Sequence, residues 1–241
     1  RVGHEFYDTD LTLARIDQLA DISLSHGINT TLSPLFVNHD NAEGAQQIMR
    51  RVSEHTARGA RVWPQVQTRP IDISFNFSVP SLLFIRLPKW YALMRFNTPE
   101  QIITSLKDAD IRATLVAEAQ GMMSLWNRLI LRQVQSDANQ AFVGKTLEAI
   151  AAERGTDALN VMIDISLEED LEAHFLSADM GHNDDKLVGD LLNHPNVMVG
   201  ASDGGAHILS FATYGDTGYL LGHFVRDTAC IGLEAAVKKI T

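Results

Sequence analysis

Four short apolar runs rich in β-branched residues punctuate the chain: Ile28 to Phe36, Arg61 to Thr68, Val161 to Leu167 and Val197 to Ser202. Each predicts a buried strand, and strands apolar on both faces suit a parallel sheet covered by helices. Between them the apolar positions recur with a helical period. From Asp10 to His26, Ile16, Leu19, Ala20 and Ser23 share a face, and Gly27 supplies the stop. Asp40 and Glu43 make a capping-box pattern ahead of Ala45, Ile48, Met49 and Val52, with Gly59 as the stop. Lys145 to Arg154 (ending at Gly155), Asp184 to Asn193 and Leu233 to Ile240 predict further helices. Glu168-Glu169-Asp170 reads as a helix N-terminus, where acidic side chains complement the dipole.

The spacing of these runs carries information about architecture. Ile28 and Arg61 are 33 residues apart and Val161 and Val197 are 36 apart, close to the roughly 31 residues per βα unit of an eight-fold barrel. Arg61 to Val161 is 100 residues, too many for one unit. An inserted helical or lid segment is therefore expected over 70–142, within a single partial barrel domain spanning 1–241. Its aromatic and Met residues, Phe75, Phe84, Trp90 and Trp126 among them, either fill a core of their own or line an apolar substrate pocket.

Composition narrows the classes. The chain has 241 residues, 45% apolar and 21% charged, which excludes a disordered tail or a collagen-like fibre. Thirty acidic against 20 basic residues give a net charge of −10, with no Lys/Arg run, so no nucleic-acid partner is expected. The most apolar stretch, Val79 to Leu87, is broken by Pro80 and Arg86, so no membrane association is expected. Cys230 is alone, which precludes an internal disulfide and fits a reducing cytoplasm. The chain opens at Arg1 in what reads as a strand already under way and closes just after a helix. A piece of a longer polypeptide is expected, oligomeric or poorly soluble by itself because of its open strand edges.

The segment VMVGASDGGAH, Val197 to His207, concentrates the chemistry. An apolar strand ends in Asp203, and Gly204-Gly205 permit a sharp turn. At the C-terminal end of a parallel strand a carboxylate can bind a divalent ion or exchange a proton with ion-bound water. The same Asp203 can instead cap its own turn. His207 is either a substrate or metal contact or the cap of a following helix. Arg69, just past the second strand, either binds a substrate carboxylate in a bidentate pair or bonds loop carbonyls. His4 is a candidate metal ligand, and His39 reads as part of a loop and helix cap. His26, His55, His174 and His194 read as solvated, His182 as part of a polar loop and His223 as part of an amphipathic helix. Cys230 reads as a small buried residue, not a nucleophile.

ASDGGAH, the following YGDTGYLLGHFVRD (Tyr214 to Asp227) and LEAAVKKIT resemble the C-terminal part of the amidohydrolase superfamily, and within it the N-acyl-D-amino-acid deacylase (D-aminoacylase-like) family. GARVWPQVQTRPIDI and GKTLEAIAAERG with NVMIDISLEED are similar to earlier segments of that family, in the same order. The resemblance implies an α/β fold, a (β/α)8 TIM-type metal-dependent hydrolase barrel, incomplete here to about its second half. It implies hydrolysis of the amide of a small N-acylated D-amino acid, a divalent metal (zinc as a rule), and an aspartate carried over to Asp203. That aspartate takes a proton from water and returns it to the leaving amine. A homo-oligomer is a candidate assembly.

The chain departs from the family pattern in three places. It has no His-x-His, it reads Ser33-Pro34 where many members have Ser-His, and Tyr214-Gly215-Asp216 stands where some have His-Pro-Arg. A cyclic-amide hydrolase of the dihydroorotase or hydantoinase type and a non-catalytic barrel remnant are the alternative readings.

Overall fold

The computed structural model describes residues 8–37, 42–178, 180–200 and 215–241. They form two compact units, one from residues within 8–71, 180–200 and 215–241, the other from 72–178. The first unit starts with α1 (Thr9–His26), β1 (Thr30–Leu32), α2 (Ala42–Ala57) and β2 (Val62–Val66). The second holds β3 (Ile73–Phe75), α3 (Pro88–Phe96), α4 (Pro99–Lys107), α5 (Ala109–Ala119), α6 (Met123–Arg128), β4 (Ile130–Gln133), α7 (Leu147–Arg154), α8 (Ala158–Glu168) and β5 (His174–Ser177). The chain then returns to the first unit with α9 (Asp185–Asn193), β6 (Met198–Val199), α10 (Asp216–Tyr219), a π-helix (Leu220–Asp227) and α11 (Leu233–Ile240).

In the first unit, β1, β2 and β6 make a parallel sheet in the order β1-β2-β6. Thr30, Leu32, Val62, Val66 and Val199 share its buried face and pack on apolar residues of α1, α2, α9 and the π-helix. The other face, Thr31, Trp63, Gln65 and Met198, is half-buried or exposed. This differs from the two-sided apolar strands read from sequence, because Thr31 and Gln65 carry polar side chains that bond each other at 3.0 Å. The helices end where the pattern says. The Asp8 carboxylate accepts the Leu11 N–H at 2.8 Å to start α1. Gly27 closes it at φ +64°, a left-handed geometry that favours glycine.

The expected strand at Val161 to Leu167 is a helix: the run lies inside α8. Asp157 caps it, accepting the Asn160 N–H at 3.0 Å, and Leu159, Val161, Met162, Ile163 and Ile165 are all fully buried. The polar face of α8 is narrow, Asn160 and Asp164 bonding Arg112 and Glu168 bonding Arg154, so within Val161 to Leu167 only Asp164 and Ser166 interrupt an apolar run that looks like that of a buried strand. Glu168-Glu169-Asp170 consequently sits at the C-terminal end of α8, not at a helix start.

The described residues thus show a mixed α/β fold with a three-stranded parallel sheet in place of a full barrel. The stretch expected to be helical also contains β3 and β4, which flank β5 in an antiparallel sheet, β3-β5-β4.

The second unit has its own core. Phe84 packs on Trp90 and Trp126 at ring-centroid distances of 5.1 and 5.4 Å, and Phe75 on Phe175 at 5.6 Å. The buried indole N–H groups of Trp90 and Trp126 donate to the Leu115 and Ala119 carbonyls, as buried tryptophans require. These aromatics fill a core instead of lining a pocket. No helix among the described residues is long and apolar enough to cross a membrane.

Candidate functional site

Parallel strands backed by helices present their carboxyl ends to ligands, because the loops that follow them can vary without disturbing the sheet. In the first unit these ends are Ser33 after β1, Gln67 and Thr68 after β2, and Gly200 after β6. The ladder runs on past the strands: Leu35 N–H donates to the Gln65 carbonyl at 2.7 Å and Gly200 N–H to the Val66 carbonyl at 2.8 Å. Gly200 has no room for a side chain, since a Cβ there would lie 2.6 Å from the Cβ of Gln65.

Asp216, at the start of α10, is buried against the end of β2. Its Oδ1 accepts the Thr68 N–H at 2.8 Å and the Arg69 N–H at 3.2 Å. The Thr68 hydroxyl lies 2.8 Å from both that oxygen and the Asp216 carbonyl. The other carboxylate oxygen, Oδ2, is buried with no hydrogen-bond partner among the described residues. Two residues past Arg69 the backbone is held again. Ile71 N–H donates to the Gly181 carbonyl at 2.9 Å, and Met180 N–H donates to the Ile71 carbonyl at 2.8 Å. Arg69 thus projects an exposed side chain from a backbone anchored on both sides.

The next turn of the same helical segment brings Tyr219 to this cluster. Burial pushes the Tyr219 phenol up and Asp185 pushes it further, while the nearby Arg69 guanidinium pulls it back. His223 stacks on the Tyr219 ring at 4.8 Å, and its Nε2 lies 2.8 Å from Asp185 Oδ2. Tyr219 and His223 flank the opening turn of the π-helix, a rare geometry that recurs at functional sites. The arrangement brings the positive charge of Arg69 and the negative charge of Asp185 to bear on one phenol.

Of the sequence-predicted site residues, Arg69 is at this rim. Asp203, His207 and His4 lie outside the described residues, as does His39. Sequence reading missed Asp216, Tyr219 and Asp185 as a group. The available signal was Gly215-Asp216 ahead of an amphipathic segment, a helix-start pattern. Among the described residues, no three His, Cys, Asp or Glu side chains come together to hold a metal ion. The described residues do not by themselves supply an ion site.

Other candidates resolve as structural. His55, expected to be solvated, is buried, with Nε2 2.6 Å from Asp17 Oδ1 and Nδ1 facing Arg58 Nη1 at 3.2 Å. His174 lies half-buried on β5. A groove of about 530 Å³ between α2 and α9 contains Ser53 and His194, 2.9 Å apart. The Ser53 hydroxyl donates to the Met49 carbonyl, and His194 Nδ1 accepts the Asn196 N–H. That leaves the proton on Nε2 and no base facing the serine, so the pair is not a nucleophile. Burial pushes the Cys230 thiol up, which removes it as a nucleophile also.

No family model matches the chain, and no curated protein matches it. Solved structures share its fold, and two of them are deacylases. One is an N-acyl-D-glutamate deacylase from Bordetella bronchiseptica, solved with zinc and a phosphonate mimic of the tetrahedral intermediate. It is 17% identical, with a TM-score of 0.51, over 96% of this chain and 38% of that chain. The other is a D-aminoacylase described as defining a novel subset of amidohydrolases. It is 17% identical, with a TM-score of 0.51, over 99% of this chain and 40% of that chain. The chain therefore has the fold of part of these amidohydrolases and spans about two fifths of their length.

Proposed function

We propose that this chain is part of a metal-dependent amidohydrolase that cleaves the amide of small N-acylated amino acids, N-acyl-D-amino acids in particular. The observation that carries the reading is Arg69, just past the carboxyl end of β2, with its own N–H bonded to Asp216 and the Ile71 N–H two residues on bonded to the Gly181 carbonyl. A guanidinium so placed matches the one feature all these substrates share, a free carboxylate, through two parallel N–H···O bonds. The fold shared with two deacylases supports the amide as the reacting bond. In this reading β1, β2 and β6 are consecutive staves of a (β/α)8 barrel, and the half-buried face of Thr31, Trp63, Gln65 and Met198 turns inward. Such a face gains by being covered, since Trp63 and Met198 would otherwise spend apolar area on water.

Asp203, three residues past Gly200 in sequence, is proposed to take a proton from the attacking water and return it to the leaving amine. A divalent ion such as the zinc of the first neighbour would supply a polarised carbonyl and an acidified water, with Asp203 and His4 as candidate holders. Arg69 keeps the substrate in one pose throughout, so that the scissile amide meets the base at a fixed distance.

The test is release of free amino acid from N-acetyl-D-amino acids, run beside dihydroorotate and hydantoins with zinc supplied. Turnover of the N-acyl compounds is expected, with Arg69→Ala raising KM at least about tenfold, the usual cost of losing a bidentate pair. Turnover of the cyclic substrates alone would move the reading to a cyclic-amide hydrolase. Metal analysis of the unmodified chain and of Asp203→Ala provides the second check. Zinc held by the first and lost by the second is expected, and no zinc in either favours a non-catalytic remnant.

A further inference from the structure

We propose that Asp216 is the positioning residue for Arg69: its carboxylate clamps the Thr68 and Arg69 amides and so sets where the guanidinium stands. The claim that this selects ligands bearing a free carboxylate rests on the function proposed above; the clamp itself does not. Three observations point the same way. Asp216 is only 4% exposed, and one of its oxygens gathers both backbone N–H groups and faces the Thr68 hydroxyl just past the end of β2. Its second oxygen is buried with no hydrogen-bond partner among the described residues. Burying a carboxylate incompletely bonded carries a free-energy penalty. Finally, Asp216 and Tyr219 are one turn apart. The segment that grips the Arg69 backbone therefore also bears the ring whose phenol senses the Arg69 charge. Position and environment of the guanidinium are set by a single helical turn.

Tyr219 provides a spectroscopic readout that needs no substrate. Its phenol is titrated by ultraviolet absorbance, isolated by subtracting the curve of Tyr219→Phe. Arg69→Ala should raise the midpoint, the effect of withdrawing a nearby positive charge. Asp216→Ala should raise it in the same direction, because a released backbone lets Arg69 leave. Asp216→Asn should stay at the unmodified value, since its amide oxygen can still accept both N–H groups. Asp216→Ser, too short to reach both amides, replaces the alanine variant if circular dichroism shows that variant unfolded. An unchanged midpoint in Asp216→Ala, or no response in Arg69→Ala, overturns the proposal. So does an asparagine variant that shifts as far as the alanine one.

A second arm measures calorimetric binding of N-acetyl-D-glutamate and of its α-carboxamide. The unmodified chain should prefer the carboxylate about tenfold, a preference lost in Arg69→Ala and Asp216→Ala and kept in Asp216→Asn. If the titration behaves as described and no carboxylate preference exists, the function proposed above falls and the clamp stands. If the preference exists and the titration shows no response to Asp216→Ala, the clamp falls alone.

Discussion

Glu169 ends the buried run of α8 with its carboxylate surrounded by donors: the Ser136 hydroxyl, the Asn139 amide and the backbone N–H groups of Gln135 and Ser136. Burial alone would push its carboxyl up, but the side-chain hydrogen bonds of Ser136 and Asn139, with the two backbone donors, outweigh this and hold it down at about 2. A folded-state value below the unfolded one means stability is full above about pH 4.5 and is lost as pH falls toward about 2. Melting as a function of pH should show a loss on the order of 2–3 kcal/mol across that window. Glu169→Gln should be less stable at neutral pH and flat through the same window. Gly200→Ala is a steric counterpart, because the added Cβ meets Gln65 at 2.6 Å and β6 must shift. It should cost about 1–3 kcal/mol in denaturant unfolding. Sequence reading placed Arg69 correctly at a strand end, since that position follows from local pattern alone. It assigned Glu169 to the wrong end of a helix and gave no role to Asp216. Their partners, Ser136 and Thr68, are 33 and 148 residues away, and no local rule reaches that far.

At the level of elements, the caps were legible and one interior was not. Gly27 and Gly155 end α1 and α7 in left-handed geometry, as the Gly stops indicated. Thr98 and Gln101 form a reciprocal capping box at α4, the pattern expected of Ser/Thr followed by Glu/Gln. In α8 the apolar run hid the period, and Asp157 marks the start of the helix. Asp157→Ala should therefore lower stability by about 1 kcal/mol, the loss of an N-cap bond to Asn160. In a strand the same change would be close to neutral, so urea unfolding of this variant checks the reassignment.

Across the whole molecule, each unit has a core made from distant parts of the chain. Phe84, fully buried between Trp90 and Trp126, anchors that of the second unit. Phe84→Ala should cost about 3–5 kcal/mol. Hydrogen exchange should show lost protection in α8 and β5, with the β1–β2 ladder keeping its own, because separate cores open separately. The apolar fraction of the chain and its alternation of short apolar runs with helical periods already point to a globular α/β protein, and its glycines and capping residues mark where several helices begin and end. These are local properties, written in intervals of one to four residues. Tertiary structure alone decided that Val161 to Leu167 coils instead of extending, that one sheet face is left half-buried or exposed, and that Asp216 meets Thr68. Each of those outcomes depends on which surfaces come together after the chain has folded back, and burial, not local preference, chooses among them.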